Sequence, residues 1–386
     1  RQTIAGYRGC MTFACIDELP ASELKGKHIL VRSDFNVPIV NGEAADLFRV
    51  EQGWKTIQYL SERGGKVIII SHIGRDPQVS IEPVARAIKK IGHVVFIADL
   101  TGPAARGAVS AMREGEILLL ENLRHDPREA ENDESFAREL AGLADIYVDD
   151  AFAAAHRAHA SIVGIAKFIP SYAGFLMCHE VQELDSARAP VHPSFAILGG
   201  AKFATKAPLI RLLLEKYDHV FITGALSNDV FRARGLSVGR SLVSNELPGE
   251  DILSHPHFLA PIDVTIESSD GHARVKKPNE VSADERIVDI GPDTVAMLVP
   301  HITEANFILW NGPTGIYEEG YVSYTEQIAR LAAKTQTKVV IGGGDTIAAI
   351  ANVDLSNNPN IFLSTGGGAM MEYLLKGNIP GIAARK

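Results

Sequence analysis

The chain of 386 residues is 46% hydrophobic, 22% charged and 7% aromatic, the composition of an ordinary globular protein long enough for two cores. A formal net charge of −9 excludes a general nucleic-acid binder, since no overall basic face exists to meet a phosphate backbone. No apolar run approaches the ~20 residues that span a bilayer, which excludes a membrane-spanning helix. Cys10, Cys15 and Cys178 are odd in number and widely spread, so they make no disulfide framework, and no His or second Cys pair completes a metal site around the first two. These features fit a reducing cytoplasm. Met11 reads as a natural start, with residues 1–10 an extension, and the apolar piece around Met11–Ile16 is too short for a signal peptide.

Taken in order, the chain alternates short β-rich runs with helical spacing. The first half gives strands at His28–Arg32, Lys66–Ser71, His93–Ala98, Glu116–Leu120 and Asp145–Val148. Helices are expected at Val50–Arg63, Ile81–Ile91 and Asp133–Leu143. The run KVIIIS is nearly continuous in apolar residues, as a strand buried on both faces of a parallel sheet must be. Gly174–Ala187 is helical and meets a proline-marked boundary. The alternation then restarts, with strands expected at Phe195–Leu198, His219–Ile222, Phe258–Pro261, Phe307–Trp310, Val339–Ile341 and Ile361–Leu363. The pattern predicts two α/β domains, each a doubly wound parallel sheet, with the helix near 174–187 bridging them.

Ligands of such sheets sit at the carboxyl ends of the strands, so the residues just after each strand carry the information. In the first half these are Arg32-Ser33-Asp34-Phe35-Asn36, His72-Ile73-Gly74-Arg75, Arg124, and His156-Arg157 with His159; Arg49 lies just before a helix. An acidic chain that places Arg and His at strand end after strand end predicts a site for a small, strongly anionic substrate carrying phosphate or carboxylate. In the second half the strand ends are different. They read Gly199-Gly200-Ala201-Lys202 with Lys206 behind, Thr223-Gly224, Asn311-Gly312-Pro313, Gly342-Gly343-Gly344-Asp345-Thr346, and Thr365 followed by Gly366-Gly367-Gly368. Glycine amides and two lysines suit a nucleotide's polyphosphate. Glu318 can accept hydrogen bonds from ribose hydroxyls. Asp345 is placed either to meet a Mg²⁺ carried by the phosphates or to cap the helix that follows. The P-loop, the G-x-G-x-x-G fingerprint, the protein-kinase motifs and the G-x-S-x-G elbow are all missing. One anion domain facing one nucleotide domain, without a general base, predicts phosphoryl transfer.

RSDFNVP (32–38), SHIGR (71–75), LLLENLR (118–124), DAFAAAHRAHAS (150–161), ILGGAKFATK (197–206), DIGP (289–292), LWNGPTGIYE (309–318), GGGDT (342–346) and STGGGA (364–369) occur in the order found in phosphoglycerate kinases. From about residue 15 the chain resembles the bacterial, short form of that family. The resemblance implies a hinge-bending monomer of two Rossmann-like domains. It transfers phosphate between 1,3-bisphosphoglycerate and ADP, giving 3-phosphoglycerate and ATP, with Mg²⁺. Residues 1–173 with the return 378–386 would bind 3-phosphoglycerate, 174–187 would form the interdomain helix, and 188–377 would bind nucleotide.

By the same resemblance Asp34, Phe35, Asn36, Arg49, His72, Ile73, Gly74, Arg75, Arg124 and Arg157 hold the glycerate. The nucleotide falls to Gly200, Ala201, Lys206, Gly224, Asn311, Pro313, Glu318 and Gly343–Thr346, with Asp345 at the metal. Arg49, Lys202, Lys206, Gly367 and Gly368 act on the transferred group. The chain departs from the family pattern at Ser33, Asp149, Ala153-Ala154 and Thr223–Leu226, where Ala225 would narrow the adenine pocket.

Overall fold

Among the residues described by the computed structural model, 13–45 and 47–385, nearly every apolar run that stops at a polar or glycine-rich turn is a strand of a parallel sheet. Met11, Cys10 and the extension at residues 1–10 lie outside the described residues. Contacts divide the chain into two units, Arg1–Gln182 with Asn378–Lys386, and Glu183–Gly377. One unbroken helix, Phe175–Arg188, begins in the first and ends in the second.

The first unit holds six parallel strands in the spatial order Val95–Ile97, Ile117–Leu120, Lys66–Ile70, His28–Arg32, Ile146–Asp149, Ser171–Ala173. Chain order reverses beside His28–Arg32, which opens a crevice at the carboxyl ends of the central strands. Both faces are buried. Ile29 and Val31 pack into one hydrophobic cluster and Leu30 into the other, and Val67 and Ile69 oppose Ile68 and Ile70 in the same way. The helix Phe48–Glu62 buries Val50, Trp54, Ile57 and Leu60 along one stripe, and so carries Arg49 in its first turn. It ends where Gly64 takes φ +80° and its amide donates back to the Ser61 carbonyl.

The second unit has strands in the order Phe258–Leu259, His219–Ile222, Ser194–Leu198, Phe307–Asn311, Lys338–Gly342, Ile361–Ser364, all parallel. Numbered by chain position this is 3-2-1-4-5-6, the dinucleotide-fold order, with its switch point between Ser194–Leu198 and Phe307–Asn311.

The structure extends the sequence reading in three places. A three-stranded antiparallel sheet of Ala273–Lys276, Val264–Glu267 and Arg286–Ile290 has no counterpart in it, because Ala273–Lys276 is exposed nearly throughout and shows no apolar pattern. Ser171–Ala173 is a three-residue edge strand, too short to register as a period. The third is a correction: Cys15 and Cys178 are joined in a disulfide, with Cα atoms 6.4 Å apart across a sequence separation of 163. Residue Cys15 bridges in parallel to Ala173, and the helix carrying Cys178 starts just beyond. Sequence spacing holds no trace of a contact made by such a long-range pairing, and a disulfide is not the state a reducing compartment favours.

One of the departures, Asp149, acquires a structural partner. The Asp149 carboxylate is fully buried and receives the Arg385 Nη2 donor at 2.5 Å, while the Gly381 amide donates to the Ala155 carbonyl at 2.7 Å. The next residue, Asp150, is also fully buried; its Oδ1 accepts from the Met177 amide at 3.1 Å. Burial pushes the Asp150 carboxyl up to about 7, against hydrogen bonds from Thr56 and Met177 that hold it down. A carboxyl raised above its unfolded value of about 3.9 favours folding only while protonated, so its contribution declines as pH rises and is lost above the folded value. Asp150→Asn stays neutral. Its stability advantage over the wild type is therefore expected to grow by about 2–3 kcal/mol between pH 5 and pH 8. Denaturant unfolding at the two pH values checks this, and a pH-independent difference would refute it.

Candidate active site

In the first unit the polar residues that follow the central strands are drawn into one hydrogen-bonded group. Asp34 has a side chain only 2% exposed and accepts from Arg49 Nη1 at 3.1 Å. The same nitrogen donates to the Asn36 carbonyl at 3.4 Å, and Asn36 Oδ1 accepts from the Gly74 amide at 2.9 Å. Phe35 is buried, with its amide donating to Ser71 Oγ at 2.9 Å. Asn122 bonds both the amide and the carbonyl of Ile73 and also accepts from the Arg124 amide, each at 3.1 Å. Three strand-end turns are thereby locked to one another, with Arg75 and Arg157 exposed beside them.

Beneath these lies Arg32, 1% exposed, whose Nη2 donates to His72 Nδ1 at 3.1 Å and whose Nε donates to Ser161 Oγ at 3.0 Å. Burial lowers the His72 pKa well below the usual imidazole value, and Arg32, Arg124, Arg157 and His159 lower it further. Burial likewise lowers the Arg124 pKa, as do Arg157 and Arg32. The cations gathered in this half-buried crevice repel one another.

In the second unit the glycine turns touch at the switch point. A Cβ on Gly199 would stand 2.6 Å from the Pro313 carbonyl oxygen, and one on Gly224, at φ +62°, would stand 2.9 Å from the Gly200 nitrogen. Only glycine allows backbones to approach so closely there. Lys206 is one turn into the helix Phe203–Lys216 and donates to the Gly199 carbonyl and to Asn311 Oδ1, both at 3.0 Å. Burial lowers its ammonium to about 8, against Asp345, which raises it. Lys202 begins the same helix in the left-handed region at φ +65°, a conformation costly for a residue with a side chain. The Thr346 hydroxyl accepts from the Gly312 amide at 2.7 Å and donates to the Gly342 carbonyl at 2.9 Å, tying two of the turns together. Asp345 is exposed, and its Oδ1 accepts from Tyr317 at 3.1 Å.

The family model for phosphoglycerate kinase matches residues 17–377. Phosphoglycerate kinases of Rubrobacter xylanophilus and a Roseiflexus species are 41% and 42% identical to the chain, covering 94% and 93% of it and 96% of each relative. Among solved structures, the phosphoglycerate kinase of Coxiella burnetii superposes with a TM-score of 0.81 at 34% identity, over 96% of this chain and 98% of that one. That of Pyrococcus horikoshii gives 0.85 at 27% identity, over the same shares. The chain belongs to the phosphoglycerate kinase family. Its reaction is phosphoryl transfer between 1,3-bisphosphoglycerate and ADP, and its fold is that of the family's two parallel-sheet domains. Nucleotide substrates of this kind act in general as metal complexes. No helix among the described residues is long and apolar enough to cross a membrane.

Not every residue named from the phosphoglycerate kinase motifs converges equally. Glu318 is exposed on the turn Tyr317–Glu319, and Ala201 lies half-buried between Gly200 and Lys202. Gly367 and Gly368 open the helix Gly368–Lys376, which reaches the switch point through Met370: its Sδ lies 4.0 Å from Asn311 Nδ2. Sequence reasoning noted Arg32 as a strand-end residue without a role, and passed over Asn122, Glu129, Ser161 and Tyr317. The last four act through hydrogen bonds to other side chains or to backbone, so no charge pattern betrays them.

Proposed function

We propose that the first unit binds 3-phosphoglycerate and 1,3-bisphosphoglycerate and the second binds ADP and ATP. Transfer is in line on hinge closure, with Mg²⁺, in a cytoplasmic monomer. The observation that carries this reading is the contrast between the two crevices: Arg and His around Arg32 in one, glycine amides and Lys206 in the other. A carboxylate acceptor is ionised at neutral pH, so transfer needs alignment and charge neutralisation but no general base. In the first crevice Asp34, Asn36, Ile73 and Gly74 shape the glycerate pocket around Arg49, His72, Arg75, Arg124 and Arg157. Arg49, Lys202 and the amides of Gly367 and Gly368 meet the charge on the transferred group.

Lys206 and the amides near Gly200, Gly224, Gly343 and Gly344 hold the nucleotide phosphates, with Asn311 and Pro313 lining the switch point and Glu318 on the ribose. Asp345 is an exposed carboxylate beside these turns, the donor that a phosphate-borne Mg²⁺ requires. Among the described residues no three His, Cys, Asp or Glu side chains group to hold a metal, so phosphate oxygens and water would complete its shell. When bound, the ion shields charge on the phosphates.

A coupled assay with 3-phosphoglycerate and MgATP tests the proposal. Turnover that requires both substrates is expected. Folded protein that binds ADP yet shows no turnover would instead mark a nucleotide-binding module.

A further inference from the structure

Glu129 closes the turn Pro127–Glu129, four residues after the turn that presents Arg124, and its side chain is 2% exposed. Its two carboxylate oxygens are both spent on one residue. Oε2 accepts from the Ser161 amide at 2.8 Å and Oε1 from Ser161 Oγ at 2.5 Å. The Ser161 carbonyl is fixed from the other side by the Tyr147 hydroxyl. Ser161 lies in the π-helical turn Ala160–Gly164, directly after the segment bearing Arg157 and His159, and His159 Nδ1 is 3.8 Å from Glu129 Oε1. A π turn held at both its donor and acceptor ends is a rigid platform. What it supports is Arg32, whose Nε donates to Ser161 Oγ while Nη2 reaches His72.

The direction of each proton in this chain is fixed by chemistry. A guanidinium only donates, so His72 Nδ1 must accept and the imidazole must be neutral with its proton on Nε2. Ser161 Oγ accepts from Arg32 and spends its single proton on Glu129 Oε1. A charged carboxylate accepts there; an amide in its place can satisfy the Ser161 amide or the hydroxyl, not both in this geometry. Glu129 also opposes the mutual repulsion of the cluster at Arg124.

We infer that Glu129 is a positioning residue for anion recognition: through Ser161 and Arg32 it fixes His72 as the neutral Nε2–H tautomer that the anionic substrate meets. This rests on the first unit being the glycerate site. The same residues admit a plain electrostatic role, and the two predict opposite signs. A carboxylate that acted only by its charge would repel an anionic substrate, so removing it would tighten binding.

Steady-state kinetics of Glu129→Gln and Glu129→Asp, with nitrogen NMR of His72 in the wild type, decide the matter. Loss of one charge-assisted link predicts that both variants raise the KM for 3-phosphoglycerate about tenfold while the KM for MgATP changes less than about twofold. In wild-type protein the His72 resonances should show protonated Nε2 and bare Nδ1, with the Nδ1–H form gaining in Glu129→Gln. A lower or unchanged KM for the glycerate would overturn the inference. So would equal losses in both KM values, which mark general damage to the fold. Wild-type His72 protonated at Nδ1 would also overturn it, even if neither variant folds. A wild type with no turnover would refute the glycerate reading instead, and the tautomer measurement would still stand by itself.

Discussion

Arg49→Ala is expected to lower kcat by about 10²–10³ while leaving the Kd for ADP within about twofold. The substitution removes a guanidinium from the first turn of Phe48–Glu62, where it is held on Asp34 and on the Asn36 carbonyl. A cation fixed before the substrate arrives needs no reorganisation when charge develops on the transferred group, and its loss falls on the transition state. Asp34 would be left buried without this donor, so a stability loss of roughly 1–3 kcal/mol should accompany the kinetic one. Arg49→Lys keeps the charge but not the fork and should recover activity only in part. Single-turnover rates and ADP titration separate the terms. Equal losses in kcat and in ADP affinity would show that Arg49 does not act on the transferred group.

Lys206→Met should weaken MgADP binding about 10- to 100-fold, the range for losing a charge-assisted hydrogen bond. Burial of the ammonium comes at a cost. Burial lowers it to about 8, so it is charged mainly below that pH and neutral above it. Wild-type nucleotide affinity is accordingly expected to fall as pH rises through about 8, because a phosphate attracts only the charged form. A phosphate beside the ammonium stabilises that form, so binding near pH 8–9 should take up protons, and calorimetry in buffers of different ionisation enthalpy measures the uptake. Lys206→Met should lose both the affinity and the pH dependence. A variant that kept the same pH profile would assign the titration to another group.

The fold was legible where burial on both faces of a sheet imposed near-continuous apolar runs, as in Lys66–Ile70 and Val339–Ile341. It was not legible in Ala273–Lys276, whose pairing rests on neighbouring strands rather than on its own composition. The candidate site was legible as a list of residue types at strand ends. Arginines, histidines and glycines stand there because the crevice of a doubly wound sheet opens there, and that rule needs only the strand boundaries. The supporting residues were not. Glu129 and Ser161 are 32 positions apart, and nothing in either segment distinguishes a carboxylate that holds a serine from one that faces water.

What the sequence by itself determined was the alternation of strand and helix, the opposed chemistry of the two halves and the ordered motifs of the phosphoglycerate kinase family. These are properties of local periodicity and of residue type. The tertiary structure alone decided the strand orders, with the switch point at Gly199 and Asn311, and the Cys15–Cys178 bond. It also decided that Asp149 is neutralised by Arg385 from 236 positions away, and that Arg32 sets the proton on His72. Each depends on which distant segments become neighbours once the sheets form. Burial then turns ordinary carboxylates and cations into groups that must be paired.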